Sequence, residues 1–381
     1  MKRTDGGETV WWPPRVADLH ARLAACPEAT LTAEARRLTR PVHLTRHWLA
    51  TTPAVEAWHC VSDTTLGPAL THTRLVVPPP VDDRRAARMD VLDSTAFLGD
   101  LADDAQARAV TATLSGALFG LPWGGAAGVV HAAAWSPGLA EAWRRVVPGV
   151  LAGPRALIGP LTAVGPRSAL SNVPEAAGGL PERDGARARG AFLAIQALAR
   201  RTALRLNARV VFQGASRSAW ALAELLASAG YDVRPPWTPP PSDEPAPPPL
   251  NPEARDTDVL VVAQPWGLHA GSGAVRPRLI VELAVGGVAA GLDAELREQA
   301  VPVLPDFLVR GGEGVVAAME AGGGWPPPDA EGVRNTLAAA VDHVVRAIWD
   351  EATRGGRSAR EAALVVALRR LGAARQALAG R

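Results

Sequence analysis

Lysine is almost missing from this chain. Lys2 is the only one in 381 residues, and arginine supplies nearly all of the positive charge. Any chemistry that needs an ammonium of lowered pKa therefore has no side chain to draw on beyond residue 2. Cysteine is scarce too: Cys26 and Cys60 lack CxxC spacing, which argues against a disulfide framework or a thiolate metal site and predicts two reduced thiols. The eight histidines are dispersed. None pairs with Cys, Asp or Glu at ligand spacing, and His43 and His47, four apart on a strand-like run, lack a third ligand, so no metal site is expected. No uncharged apolar run reaches about 18 residues, so no segment is expected to span a membrane. Met1–Glu8 is polar and Trp11-Trp12-Pro13-Pro14 is no apolar signal core, so a cytoplasmic protein is expected. A formal charge of +2 with scattered arginines gives nucleic acid nothing to bind.

What is present suits two globular domains. Hydrophobic residues make up 48% and charged residues 20%, enough for substantial cores, and a single core rarely grows past about 250–300 residues. Short β-prone runs (His43–Leu49, Ala57–Val61, Thr73–Val77) precede a helical pattern over Asp82–Leu118. Leu121-Pro122-Trp123-Gly124-Gly125 interrupts that pattern, a strand is expected over Gly128–Ala134, and a helix over Leu139–Leu151. Character changes near residue 180. A long amphipathic helix, Arg187–Leu206, leads to the buried strand Arg209–Gln213, a turn at Gly214 and a helix over Ser218–Ala229. Further apolar strands over 257–262, 278–282 and 301–305 alternate with helices or turns, which predicts a doubly wound parallel sheet. Helices over Val333–Glu351 and Ser358–Ala379 close the chain. Pro235–Pro252 is dominated by proline, which can neither extend a helix nor feed a strand ladder, so an exposed polyproline-like loop is expected.

Five short strings carry a resemblance. Gly67-Pro68-Ala69 with Arg74 is similar to GPAKGGIR, and Leu121–Val129 to LPxGGAKGG. Arg209–Gly214 is similar to the strand entering QGFGNVG, Val303–Leu308 to VxPDxLxNAGG, and Arg360–Leu368 to RxAAYxxAL. In this order, over roughly residues 55–375, the chain resembles the glutamate/leucine/phenylalanine/valine dehydrogenase family. The resemblance implies an α/β fold of two domains: an N-terminal α/β substrate and oligomerisation domain over 1–180 and a doubly wound Rossmann-like domain over 181–335. Helices over 336–381 would pack back between them. It also implies reversible oxidative deamination of an amino acid, with hydride passed to NAD or NADP, and assembly as a homo- or hetero-oligomer.

That chemistry needs cations to clamp the substrate carboxylate, a lysine to activate water and an aspartate to handle protons. The family's lysines fall here at Leu70, Ser115 and Ala127, and its aspartate at Thr162. None of the four replacements can hold a positive charge or shuttle a proton near neutral pH. No catalytic residue can be assigned. The dinucleotide fingerprint is worn as well: Gly214-Ala215-Ser216-Arg217-Ser218 keeps only the first glycine of GxGxxG, and the acidic residue expected after the second strand is missing. These five positions are a vestigial cofactor loop, although Arg217 at a helix start could meet a phosphate. The family's nicotinamide-contacting threonine falls at Arg187, the asparagine of its PDxLxN string at Arg310, and the serine seven residues further at Ala317.

Three functions remain open from the residues. One is a catalytically degenerate homologue serving as a structural or regulatory subunit of an active dehydrogenase. The second is an active enzyme with a relocated site using His72, Arg74, Arg187 and Arg310. The third is a sensor that binds an amino acid or nucleotide in the cleft without turnover.

Overall fold

The computed structural model describes residues 3–5, 8–10, 15–25, 29–40, 43–51, 54–63, 65, 69–76, 101–121, 124–132, 157–164, 181–202, 204–205, 207–237, 250–264, 267–269, 275–321 and 330–379. A short antiparallel pair, β1 (Arg3–Asp5) and β2 (Glu8–Val10), precedes helices α1 (Arg15–Ala24) and α2 (Ala29–Leu38). The first sheet contains β3 (His43–Thr51), β4 (Ala54–Asp63), β5 (Ala69–Val76), β6 (Gly124–Ala132) and β7 (Leu157–Val164) in the order β3-β4-β6-β5-β7. The β3–β4 and β4–β6 pairs are antiparallel, and β5 runs parallel to both β6 and β7.

Helix α3 (Leu101–Phe119) packs against β4 and β6. Gly125 permits this: a Cβ there would strike the Ala109 carbonyl and Thr113 on the helix. The glycine of the LPxGG-like string thus serves close packing of helix on strand, a need that persists whatever becomes of the chemistry. It also explains a difference from expectation. The strand begins at Gly124, inside the glycine pair, rather than at Gly128. The Leu139–Leu151 helix and most of Asp82–Leu118 before α3 lie outside the described residues.

Helix α4 (Pro181–Ala199) leads into the second sheet: β8 (Arg209–Gln213), β9 (Asp232–Val233), β10 (Val259–Val262), β11 (Leu279–Glu282) and β12 (Val303–Leu304). The order β12-β11-β10-β8-β9 is parallel throughout, which confirms the doubly wound sheet. β10 and β11 are buried at every residue, as strands covered on both faces must be. Helix α5 (Arg217–Ser228) follows β8 and buries Ala219, Leu222, Ala223 and Leu226, an i, i+3, i+4, i+7 stripe, against the core.

Beyond these come α6 (Asp293–Glu298), α7 (Asp306–Val309), α8 (Gly311–Ala321), α9 (Ala330–Gly355) and α10 (Ala359–Ala379). Helices α4 and α8 cross at a glycine pair: a Cβ on Gly190 would come within 2.8 Å of the Val309 carbonyl, and one on Gly312 within 3.1 Å of the Gly190 Cα. Helix α10 returns to the first unit, touching α2 and α3 as well as β12. Arg375 binds Glu34 (2.8 Å) and Asp63 there, and Arg370 donates to the Leu118 carbonyl. The chain's last helix therefore joins α2 and α3 to the second sheet in one core, while the buried first-sheet residues Cys60, Val61, Ala126 and Ala127 belong to smaller clusters. No helix among the described residues is long and apolar enough to cross a membrane.

Candidate functional site

The four positions aligned with the family's catalytic groups lie on three strands and one helix. Leu70 sits on β5, in register with Gly125 and Leu157. Ala127 is buried on β6 beside His72, and Thr162 lies on β7 opposite Arg74. Ser115 is on α3, 6% exposed. Ser115 and Ala127, at positions aligned with the family's lysines, are both closed off from water.

A buried ion cluster lies at α4 and α8. Arg187 on α4 binds Glu313 on α8 through its Nε, and Arg310, in the turn between α7 and α8, approaches the same carboxylate at 3.7 Å. Arg310 and Glu313 are both buried, and Arg310 Nη1 has no hydrogen-bond partner. Burial pulls the Arg310 pKa down to about 10, with Glu313 opposing the shift. The sequence placed Arg187 at the family's nicotinamide-contacting threonine and Arg310 at the asparagine of PDxLxN, but did not single out Glu313. The signal was there: a glycine of the NAGG string becomes Glu three residues after an Asn becomes Arg, and i, i+3 neighbours on a helix meet. Two of the four groups required by a relocated site are brought together, and they are spent on a carboxylate of the protein itself.

The loop aligned with the family's dinucleotide fingerprint is filled by the protein's own side chains. Gly214 follows β8 with φ +96, the left-handed turn its position demands, and its N–H donates to the Trp237 carbonyl at 3.1 Å. Over its Cα lies the Gln264 side chain, whose Oε1 would stand 2.8 Å from a Cβ on Gly214. Gln264 is 2% exposed with neither amide atom hydrogen-bonded. Ser216 caps α5, its Oγ accepting from Ala219 N–H at 3.1 Å. Ala215 is half-buried, Arg217 opens α5 and Ser218 is buried in it. The two ends of the proline-rich stretch are pinned at this spot: Trp237 bridges to Gln213, and Asn251 donates through its side chain to the Phe212 carbonyl (3.1 Å) and through its N–H to Gln213 Oε1 (2.7 Å). Residues 238–249, where a polyproline-like loop was expected, lie outside the described residues. Asp232 opens β9 against Arg209, too early in the strand to reach a ribose beyond its end.

Other expectations resolve simply. Cys60 is a free, buried thiol whose pKa is pushed up to about 12 by loss of water, while Cys26 is not described. Among the described residues no cluster of His, Cys, Asp or Glu could hold a metal.

Asp306, from the PDxL string, is 8% exposed on α7. Burial, reinforced by the nearby Glu282 carboxylate, lifts its pKa from 3.8 to about 6, against the pull of Arg310, Arg22 and the Phe307 N–H. A folded-state pKa above the unfolded one means that this group's contribution to stability is complete below about 3.8. It is lost as pH rises through about 6. Asp306→Asn keeps an acceptor for Phe307 without the charge. The variant is therefore expected to gain on the wild type by on the order of 2–3 kcal/mol between pH 4 and 7. Denaturant titrations across that range check the sign and the window.

No family model matches the chain. It is 33% identical over 129 residues to glutamate dehydrogenase B of Halobacterium salinarum, a stretch covering 32% of this chain and 29% of that protein. Among solved structures, hetero-hexameric glutamate dehydrogenase from Thermus thermophilus, in a leucine-bound form, superposes with a TM-score of 0.68 at 25% identity, covering 97% of this chain and 99% of the other. Glutamate dehydrogenase of Peptoniphilus asaccharolyticus shares the fold (TM-score 0.66, 18% identity, 97% and 100% covered), as does L-tryptophan dehydrogenase of Nostoc punctiforme (0.59, 18%, 91% and 99%). In sequence and in its two-domain fold with a Rossmann-like sheet, the chain is a homologue of the glutamate dehydrogenases.

Proposed function

We propose that this chain is a catalytically silent amino-acid dehydrogenase homologue that acts as a structural or regulatory subunit beside an active paralogue. The observation that carries this reading is the fate of the charges. Ser115 and Ala127 are buried and uncharged at two of the family's lysine positions, and Arg187 and Arg310 share the single carboxylate of Glu313. A substrate carboxylate would have to compete with Glu313 for the two arginines, and Leu70, Ser115, Ala127 and Thr162, at the positions of the family's lysines and aspartate, supply no base to activate water. Packing glycines such as Gly125 and Gly312 survive beside these losses, which supports selection for the fold and its surfaces. The hetero-hexameric assembly of the T. thermophilus neighbour is compatible with a mixed oligomer.

NAD or NADP, the cofactor that the resemblance implies, does not fit the loop as it stands. Gln264 lies over Gly214, the Gly214 N–H is engaged by Trp237, and the Ser216 hydroxyl is used as a helix cap. A dinucleotide needs close backbone approach and free N–H groups at this point. Two measurements test the proposal together. Native mass spectrometry of the tagged chain from its host is expected to show a mixed oligomer with a dehydrogenase paralogue. Millimolar NAD or NADP is expected to leave the melting temperature of the purified chain unchanged, because a ligand that does not bind the native state contributes no mass-action stabilisation. Isolation solely as a homo-oligomer with a nucleotide-dependent shift would refute it.

A further inference from the structure

A cavity of about 290 Å³ opens where α1, α6 and α10 meet the carboxyl ends of β11 and β12. None of the residues aligned with the family's catalytic or nucleotide-binding groups lines it. Leu19, Ala107, Phe307 and Leu364 give it apolar walls, and seven charged side chains line it: Arg22, Arg297 and Arg360, with Glu282, Asp293, Asp306 and Glu361. Arg22 binds Asp293 at 2.8 Å, and Arg360 spans Asp293 and Glu282, the latter at 2.6 Å. Arg297 pairs with Glu361 at 3.3 Å, so two guanidiniums are left to three carboxylates, and the carboxylate without an ion pair is Asp306. Its hydrogen-bond donors are neutral: the Phe307 N–H at 2.7 Å and the Thr111 hydroxyl at 3.4 Å.

Arg310 and Arg22 act on Asp306 only through space; a buried carboxylate without a contacting cation is costly, and here it stands on the wall of an open, largely apolar space. We propose that this cavity binds a small primary ammonium carrying an apolar body, the ammonium held by Asp306 and the body by Leu19, Phe307 and Leu364. A free alkylamine and the amino end of an apolar amino acid share that chemistry. Arg360, whose Nε has no hydrogen-bond partner, is the group that would meet a ligand carboxylate and so favour the amino acid. The site does not depend on whether the interdomain cleft is silent, since it shares no residue with it.

Calorimetric titration of the full chain, as purified, with three ligands of matched body tests this: isoamylamine, L-leucine and 4-methylpentanoate. The first two are expected to bind in the millimolar range or better, and 4-methylpentanoate at least about tenfold more weakly. Leucine binding about tenfold tighter than the amine would identify an amino-acid site, and equal binding an amine site. Asp306→Asn, expected to fold at least as stably as the wild type near pH 7, should weaken the ammonium ligands about tenfold or more. Ala294→Trp, on an exposed lining position of α6, should do the same by obstruction without removing a charge. Binding led by 4-methylpentanoate, no binding of either ammonium, or unchanged binding to both variants would overturn the proposal.

Discussion

Given saturating NAD or NADP and L-glutamate, L-leucine, L-valine or L-phenylalanine, the purified chain is expected to show no oxidative deamination above background. Measured beside an active glutamate dehydrogenase, its kcat/KM should be lower by at least about 10⁴. General acid–base catalysis alone contributes about 10²–10⁴, and loss of the groups that orient the substrate adds to the deficit. The magnitude decides between readings. A deficit of only about tenfold would mean that other cations and a base have taken over, and the subunit proposal would fall. Reinstating Ser115→Lys or Ala127→Lys singly is not expected to recover activity. Each would place an ammonium in a closed, apolar position, where burial favours the neutral amine.

Glu313→Ala is expected to be among the most destabilising single changes in the second unit, on the order of 3–5 kcal/mol. It leaves Arg310 buried without a counter-charge, and Arg187 loses the same partner. Chemical denaturation measures the loss. The pair Arg310→Met with Glu313→Leu should recover most of it, because apolar groups of similar volume replace a buried ion pair at little cost, and Arg187, about a fifth exposed, can turn to water. If Glu313→Ala proves nearly neutral, the ion pair does not fill the cleft as described, and a central support for a silent site is lost.

The elements of the second sheet were legible because fully buried parallel strands announce themselves. Val259–Val262 and Leu279–Glu282 are short apolar runs bounded by turns, and the helix after Gly214 carries its period through Ala219, Leu222 and Leu226. The first sheet was harder to read. Its strands carry Thr, His and Arg, and the start of β6 at Gly124 was hidden because glycine signals a turn unless the closeness of α3 is known. The candidate site divided in the same way. A missing lysine can be seen in a string of letters. That Gln264 would come to lie over Gly214, fifty residues away, could not be, since nothing local to either residue encodes the approach of β10 to β8.

The sequence by itself determined the fold and the absence of cationic side chains from the positions that align with the family's lysines. These follow from local pattern and residue chemistry, which act within a few neighbours along the chain. Only the tertiary structure decided where the remaining charges went: Glu313 between two arginines, Asp306 left over in a cavity, Arg375 tying the last helix to the first sheet. Pairing of buried charges depends on distances of a few ångströms between segments tens to hundreds of residues apart. In a low-dielectric interior those distances set which ion is satisfied and which waits for a partner.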